Sequence, residues 1–300
     1  MTDPFSTLGD DSVDPTELVP PDAETVSLGA ATQQCVEALS HRPCGLFTDF
    51  DGTLSPLAAT PDAAVIHPTA QEALRRLHTA LDFVAIVTGR SAMVAEGLVG
   101  LPQLFYVGNH GLERRHLGAH TEHPAGIAAS RGVTDALVDV AEAVRTQIPV
   151  DGLLFEDKRL SGSIHYRLVD DPDQARIHLL KAAQRAAERH DLLVSEGRRI
   201  VELRPRAPVN KGTAILELIE ERALKSVLFF GDDVTDIDGF RALRAHREQT
   251  DIAALTIGVA SPESPAALGE TSDIIVHGVD ACADLLAAIA DALSPADDAT

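Results

Sequence analysis

Apolar residues fall into two patterns along this chain of 300 residues. Short, almost unbroken apolar runs occupy Cys44 to Phe47, Asp82 to Val87, Leu104 to Val107, Ser226 to Phe230, Ala253 to Val259 and Asp273 to Val276. A strand covered on both faces reads this way, because neither face needs polar residues. Longer stretches with helical spacing lie between them: Thr25 to Leu39, a stretch opened by His67-Pro68 that carries Leu74, Leu77 and Leu81 on one face, Ala214 to Arg222, and Val279 to Leu293. Buried strands alternating with helices predict an α/β core around a parallel sheet. From about Leu117 the rhythm changes to a helix over roughly 126–147, a hairpin over Leu153 to Val169, a helix from Asp171-Pro172 to about His190, and a hairpin over Leu192 to Leu203 turning near Glu196-Gly197-Arg198. That order predicts an antiparallel sheet with helices on one side, a smaller α+β cap domain inserted in the core. The expected division is 25–116 and 205–300 for the discontinuous core and 117–204 for the insert, with hinges near Leu117 and Arg204-Pro205.

Composition narrows the class of protein. Nearly half of the residues are hydrophobic, enough for a sizeable core, while the formal charge is −21. Nucleic acid and anionic membrane surfaces are repelled overall by such a body, and neither is an expected partner. Seven acids and no bases fall in the first 24 residues, so about a third of the excess belongs to an acidic arm expected to be disordered. The last residues, from Ser294, read as a frayed tail. Three scattered cysteines, Cys35, Cys44 and Cys282, indicate neither a zinc site nor a disulfide framework and suit the cytoplasm. No signal-peptide pattern and no run of membrane-spanning length are present in the sequence.

Candidate chemistry sits where the apolar runs end. After Phe47 come Asp49 and Asp51, with Gly52 directly behind them. Two side chains one residue apart on a strand point to opposite faces, so they converge on one ligand only if the chain turns after Asp49. Gly52 permits the turn. A carboxylate pair can divide hydrolysis between a nucleophile and an acid/base, although two acids in a solvated loop read the same way. Thr88, ahead of Gly89, is placed either to touch a phosphate oxygen or to cap a helix. Lys211 opens an apolar-periodic helix and would supply the positive charge that an acidic body lacks, while Asp232, Asp233 and Asp236 follow the buried strand Ser226 to Phe230. These acids have neither the length nor the closing glutamate of an EF-hand loop.

Together these four elements resemble motifs I to IV of the haloacid dehalogenase (HAD) phosphatases: Asp49-Phe50-Asp51-Gly52-Thr53, Thr88, Lys211 and GDDVTD from Gly231. The resemblance implies a Rossmannoid core, with Asp49 as nucleophile, Asp51 as general acid/base, and Thr88 and Lys211 on the phosphate. It also implies Mg²⁺ held by Asp49, Asp51 and Asp232, with Asp233 and Asp236 behind them. Further segments narrow the likeness: GNHGLE from Gly108, FEDKRLSGSIHYR from Phe155, VELRP from Val201, and Asn210-Lys211-Gly212 are similar to those of trehalose-6-phosphate phosphatases. What this implies is Mg²⁺-dependent hydrolysis of a phosphorylated disaccharide through an aspartyl phosphate, in a monomer linked functionally to a trehalose-6-phosphate synthase. By the same resemblance Arg90, Asn109, His110, Glu156, Lys158, Arg167 and Glu202 are candidate substrate contacts. Two positions depart from the pattern, Ile237 where a glutamate is common and Val209 where a tryptophan is frequent. A sucrose 6-phosphate or glycosyl-glycerate phosphate phosphatase is the alternative reading, and a silent HAD-like regulatory module is a further one.

Overall fold

The computed structural model describes residues 26–149 and 151–294. The acidic arm expected over the first 24 residues lies outside the described residues, as does nearly all of the expected C-terminal tail. The chain begins with α1 (Leu28–Ala38), β1 (Cys44–Thr48), α2 (Pro68–Ala80), β2 (Phe83–Val87), α3 (Ala92–Val99), β3 (Phe105–Gly108), β4 (Glu113–His116) and β5 (Ala119–Glu122). A second unit follows with α4 (Pro124–Val144), β6 (Leu154–Asp157), β7 (Gly162–His165), α5 (Pro172–His190), β8 (Leu192–Gly197) and β9 (Ile200–Pro205). The chain then returns through α6 (Lys211–Glu221), β10 (Ser226–Gly231), α7 (Val234–Gln249), β11 (Ala253–Ala260), α8 (Ala266–Thr271), β12 (Ile274–His277) and α9 (Gly278–Leu293).

Eight strands form the large sheet in the order β12-β11-β10-β1-β2-β3-β4-β5. The first six run parallel, as the apolar runs predict. Along β10 the side chains divide between two cores, Val227 and Phe229 facing α6 and α7, Leu228 and Phe230 facing the layer that contains α1, α2 and α9. Burial on both faces is why that strand carries no polar alternation. Phenylalanines take the place of tryptophan in the packing: Phe47, Phe83 and Phe105 meet with ring centroids 5.7 and 5.5 Å apart, and Arg222 lies over the last two.

Two features differ from the sequence reading. The hairpin β4–β5 joins the large sheet antiparallel to β3, with Leu117-Gly118 as its turn, so the large sheet extends to Glu122 and past the expected boundary at 117. Its residues, ERRH and AHTE, are held by the ladder of backbone hydrogen bonds and by ion pairs such as Arg115–Glu96 at 2.9 Å, and show no apolar alternation. Helix α7, rich in Asp and Arg, is also unannounced by periodicity; it buries only Asp236, Ile237, Gly239, Phe240 and Leu243. No helix among the described residues is long and apolar enough to cross a membrane.

The smaller sheet runs β6-β7-β9-β8, antiparallel throughout. Helices α4 and α5 cover one face, burying Val140, Leu179, Ile164, Val201 and Leu203. On the other face the register lines up Glu156, Ser163, Glu202 and Ser195 in one row across four strands. This polar face is turned toward the ends of β1, β2 and β10, where the candidate residues of the large sheet gather.

Candidate active site

Asp49 is the first residue beyond β1, and its backbone N–H donates to Phe230 O at 2.9 Å, which ties it to the end of β10. The chain then turns back at once, with Leu54 N–H donating to Phe50 O and Gly52 at φ +81°. A Cβ at Gly52 would lie 2.0 Å from Asp232 Oδ2, so conformation and space both demand glycine there. Asp49 is buried, with Oδ1 3.0 Å from Lys211 Nζ; that ammonium also donates to Asp236 Oδ1 at 2.8 Å.

Lys211 is set by a capping box, in which Asn210 accepts from Thr213 N–H and Thr213 Oγ1 accepts from Asn210 N–H. Burial works against its charge, but Asp236 and Asp49 outweigh that and hold its pKa well above the ordinary value. Asp49 is pushed up to about 8, first by burial and then by Asp232, Asp233 and Asp51, against the pull of Lys211.

Asp233 caps α7, accepting from Thr235 N–H at 2.9 Å and Thr235 Oγ1 at 2.7 Å. Burial opposes its ionisation; Lys211 and Thr235 overcome it, and its pKa ends below the usual value. Asp236 accepts from the N–H groups of Asp232 and Asp233 through Oδ2 while Oδ1 takes Lys211, so it fixes both the turn after β10 and the lysine. Asp232 turns the other way. Its Oδ1 accepts from Thr53 Oγ1 at 3.1 Å, whereas buried Oδ2 has no aligned hydrogen-bond donor among the described residues. Burial, with Asp233 and Asp236 adding, holds Asp232 well above the carboxylate range against the nearby Arg198.

Asp49, Asp232 and Asp236 bring carboxylate oxygens within 4.8 Å of one another. Their hard oxygens, an Asp232 Oδ2 without an aligned hydrogen-bond donor and the excess of buried acid over base fit a divalent cation such as Mg²⁺. The carboxylate of Asp51, expected among the ligands, is not in this group. Arg90 takes both of its oxygens, Nε to Oδ2 at 2.6 Å and Nη2 to Oδ1 at 2.8 Å. The third member of the group is Asp236, whose two oxygens are already taken up by Lys211 and by the N–H groups of Asp232 and Asp233.

The expected substrate contacts divide into two sets. Arg90, His110, Glu156, Lys158, Arg167 and Glu202 line one cavity together with Asp49, Asp51, Thr88, Lys211 and Asp232. Asn109 does not: its Nδ2 donates to buried Glu113 of the same sheet at 2.7 Å and its Oδ1 accepts from Ser161 Oγ of the smaller unit, so both ends of the amide are consumed. Arg90 lines the cavity but commits its guanidinium to Asp51 and to Pro61 O. Thr88 Oγ1 accepts from Arg90 N–H at 3.2 Å, which leaves its hydroxyl proton to give.

Glu202 is surrounded by donors: Lys158 Nζ at 2.9 Å and Ser163 Oγ at 3.0 Å on Oε1, and His110 Nε2 at 3.0 Å from Oε2. Burial alone would raise its pKa; Lys158 and His110 reverse this and hold it well below the carboxylate range. Burial takes His110 down to about 4 despite Glu202, so the ring is neutral, gives its Nε2–H to Glu202 and leaves Nδ1 buried without a hydrogen-bond partner among the described residues. His110 sits at φ +56°, and its ring would collide with a Cβ at Gly89 at 2.6 Å. Glu156 pairs with His165 at 3.1 Å.

The residue that sequence reasoning missed is Arg198, at the turn between β8 and β9. It reaches from the smaller unit to Asp232, with Nη1 2.8 Å from Oδ2 and Nη2 donating to the carbonyl oxygen at 2.6 Å. Its partner is 34 residues away across a change of unit, and no local pattern signals such a contact.

The sequence profile of the family described as trehalose-phosphatase matches residues 47–268. A trehalose-phosphate phosphatase of Mycobacterium tuberculosis is 34% identical to this chain over 251 residues, covering 79% of the chain and 62% of that protein. The chain thus spans less than two thirds of that relative's length. Among solved structures, the C-terminal domain of a Candida albicans trehalose-6-phosphate phosphatase superposes with a TM-score of 0.74 at 20% identity, over 90% of this chain and 98% of the other. A trehalose-6-phosphate phosphatase related protein gives 0.64 at 24% identity, over 83% and 97%. At these identities the superpositions speak for the fold alone, an α/β core around a mostly parallel sheet with a smaller α+β unit.

Proposed function

The chain belongs to the trehalose-phosphatase family, and from that premise we propose that it hydrolyses trehalose 6-phosphate to trehalose and phosphate, with Asp49 as nucleophile and Mg²⁺ as cofactor. The observation that carries this reading is the meeting, in one cavity, of buried Asp49 on Lys211 with a polar cap face built around Glu202. An Asp49 oxygen bonds to phosphorus as the bond from phosphorus to the sugar oxygen breaks, and Asp51 gives that oxygen its proton. Asp51 then takes a proton from water, water attacks phosphorus, and the carboxylate of Asp49 leaves. A carboxylate bonded through both oxygens to Arg90 is an acceptor, which suits the second half as it stands. The first half requires Asp51 to turn from Arg90 to the leaving oxygen.

Lys211 and the hydroxyl of Thr88 offset phosphoryl charge and fix the line of attack. Asp49 and Asp232 would hold Mg²⁺, with Asp236 behind them through Lys211 and the loop backbone. Bound there, the ion would neutralise charge on the phosphoryl oxygens. Charged groups suit a sugar because each hydroxyl is both donor and acceptor, and Glu156, Lys158, Arg167 and Glu202 face the cleft for that purpose. The unit from Pro124 to Pro205 acts as the cap, and the substrate would come from a trehalose-6-phosphate synthase.

Asp49→Asn tests the reading without turnover. In the presence of Mg²⁺ the variant is expected to bind trehalose 6-phosphate with the affinity of a substrate complex, to bind glucose 6-phosphate and sucrose 6-phosphate at least tenfold more weakly in calorimetry, and to release phosphate at least about a thousandfold more slowly than the wild type. Equal affinity for all three would refute the assignment of the sugar, and undiminished release would move the nucleophile elsewhere.

A further inference from the structure

Arg198 lies on the tip of a cap hairpin yet is largely buried, its side chain 11% exposed. One nitrogen, Nη2, donates to Asp232 O at 2.6 Å and to Ser264 Oγ at 2.8 Å, in the loop that follows β11. The other, Nη1, stands 2.8 Å from Asp232 Oδ2 but out of hydrogen-bonding alignment. Among the described residues Nε has no hydrogen-bond partner. Since Thr53 already occupies Oδ1, Oδ2 is the oxygen that Asp232 has left for a cation. The guanidinium therefore stands on the oxygen that Mg²⁺ would need, and two cations at that distance in a buried site repel strongly.

We propose that Arg198 is a stand-in for the site's cation, carried by the cap: without a divalent ion it docks the hairpin tip on Asp232, and the ion can take Oδ2 only when the tip lifts away. Loading of the ion and this docked cap exclude one another, so the ion enters first, and the cap closes afterwards on the phosphorylated sugar. The inference rests on the Mg²⁺ reading above. Arg199, the neighbouring residue, supplies a control: it carries the same charge and pairs with Asp173 at 3.0 Å, away from Asp232.

Titrating Mg²⁺ alone into the metal-free wild type, Arg198→Gln and Arg199→Gln by calorimetry tests it. Arg198→Gln is expected to bind at least tenfold more tightly than the wild type, with Arg199→Gln within about threefold of it. Small-angle scattering gives an independent reading: Mg²⁺ alone should enlarge the wild-type radius of gyration and leave Arg198→Gln unchanged. Arg198→Ala should repeat both results if the glutamine variant fails to fold. Equal or weaker binding by Arg198→Gln, or an equal gain in Arg199→Gln, would overturn the proposal and leave the cation site standing. Absence of Mg²⁺ binding in all three proteins would overturn both.

Discussion

Lys211 shows how much of this site is held by one side chain. It is fully buried between Asp49 and Asp236, and the second of these also holds the turn after β10 through two backbone N–H groups. Replacing it with Met keeps most of the volume but leaves buried carboxylates unpaired, so Lys211→Met should cost about 3–5 kcal/mol in urea unfolding. An unchanged midpoint would mean that the carboxylates relax toward solvent. His110 gives a pH signature. Its pKa is taken from 6.5 down to about 4 by burial, so between these values the unfolded chain binds the proton that the folded one refuses. Stability from this group is complete above pH 6.5 and is lost as pH falls toward 4, by about 3 kcal/mol in all. Glu202, held well below its usual 4.5, acts in the same direction at lower pH. His110→Gln should flatten the stability profile between pH 4 and 6.5; a profile as steep as the wild type would assign the acid sensitivity to other groups.

At the scale of elements, the strand that ends in an acid carries most of the information. Ends of β1, β2 and β10 were legible because an unbroken apolar run, a terminal acid or hydroxyl and a following turn are all local in sequence. The caps were less so. Asp233, read as part of a metal group, spends its carboxylate on the first turn of α7. Asp233→Ala should therefore lower stability by about 0.5–2 kcal/mol, a shift of about 1–8 °C in Tm. Loss of Mg²⁺ binding with unchanged Tm would instead make it a ligand. What could not be read locally depends on distant partners: Asp51 turns to Arg90, 39 residues on, Asn109 to Ser161, 52 residues on, and Arg198 to Asp232. The β4–β5 hairpin was invisible for a different reason, since its strands are specified by ladder hydrogen bonds and ion pairs, with no apolar alternation.

The whole molecule divides its chemistry between two sheets that meet face to end. The large sheet delivers Asp49, Thr88, Lys211 and Asp232 from the ends of parallel strands and the first turn of a helix, as ligand sites in open α/β sheets are built. The small sheet offers its polar row, with Lys158 crossing to Gly89 O at 2.8 Å and Ser161 to Asn109. On the proposed reading, phosphoryl chemistry belongs to the first and choice of sugar to the second, so the two can fail separately. The most direct measurement is phosphate release from trehalose 6-phosphate, with Mg²⁺ and with EDTA, beside glucose 6-phosphate and sucrose 6-phosphate. Release that depends on the metal and favours trehalose 6-phosphate by at least tenfold in kcat/KM is the predicted result. Release from another sugar phosphate at equal or greater kcat/KM would contradict the account of the cap, and no release from any would contradict the account of the core.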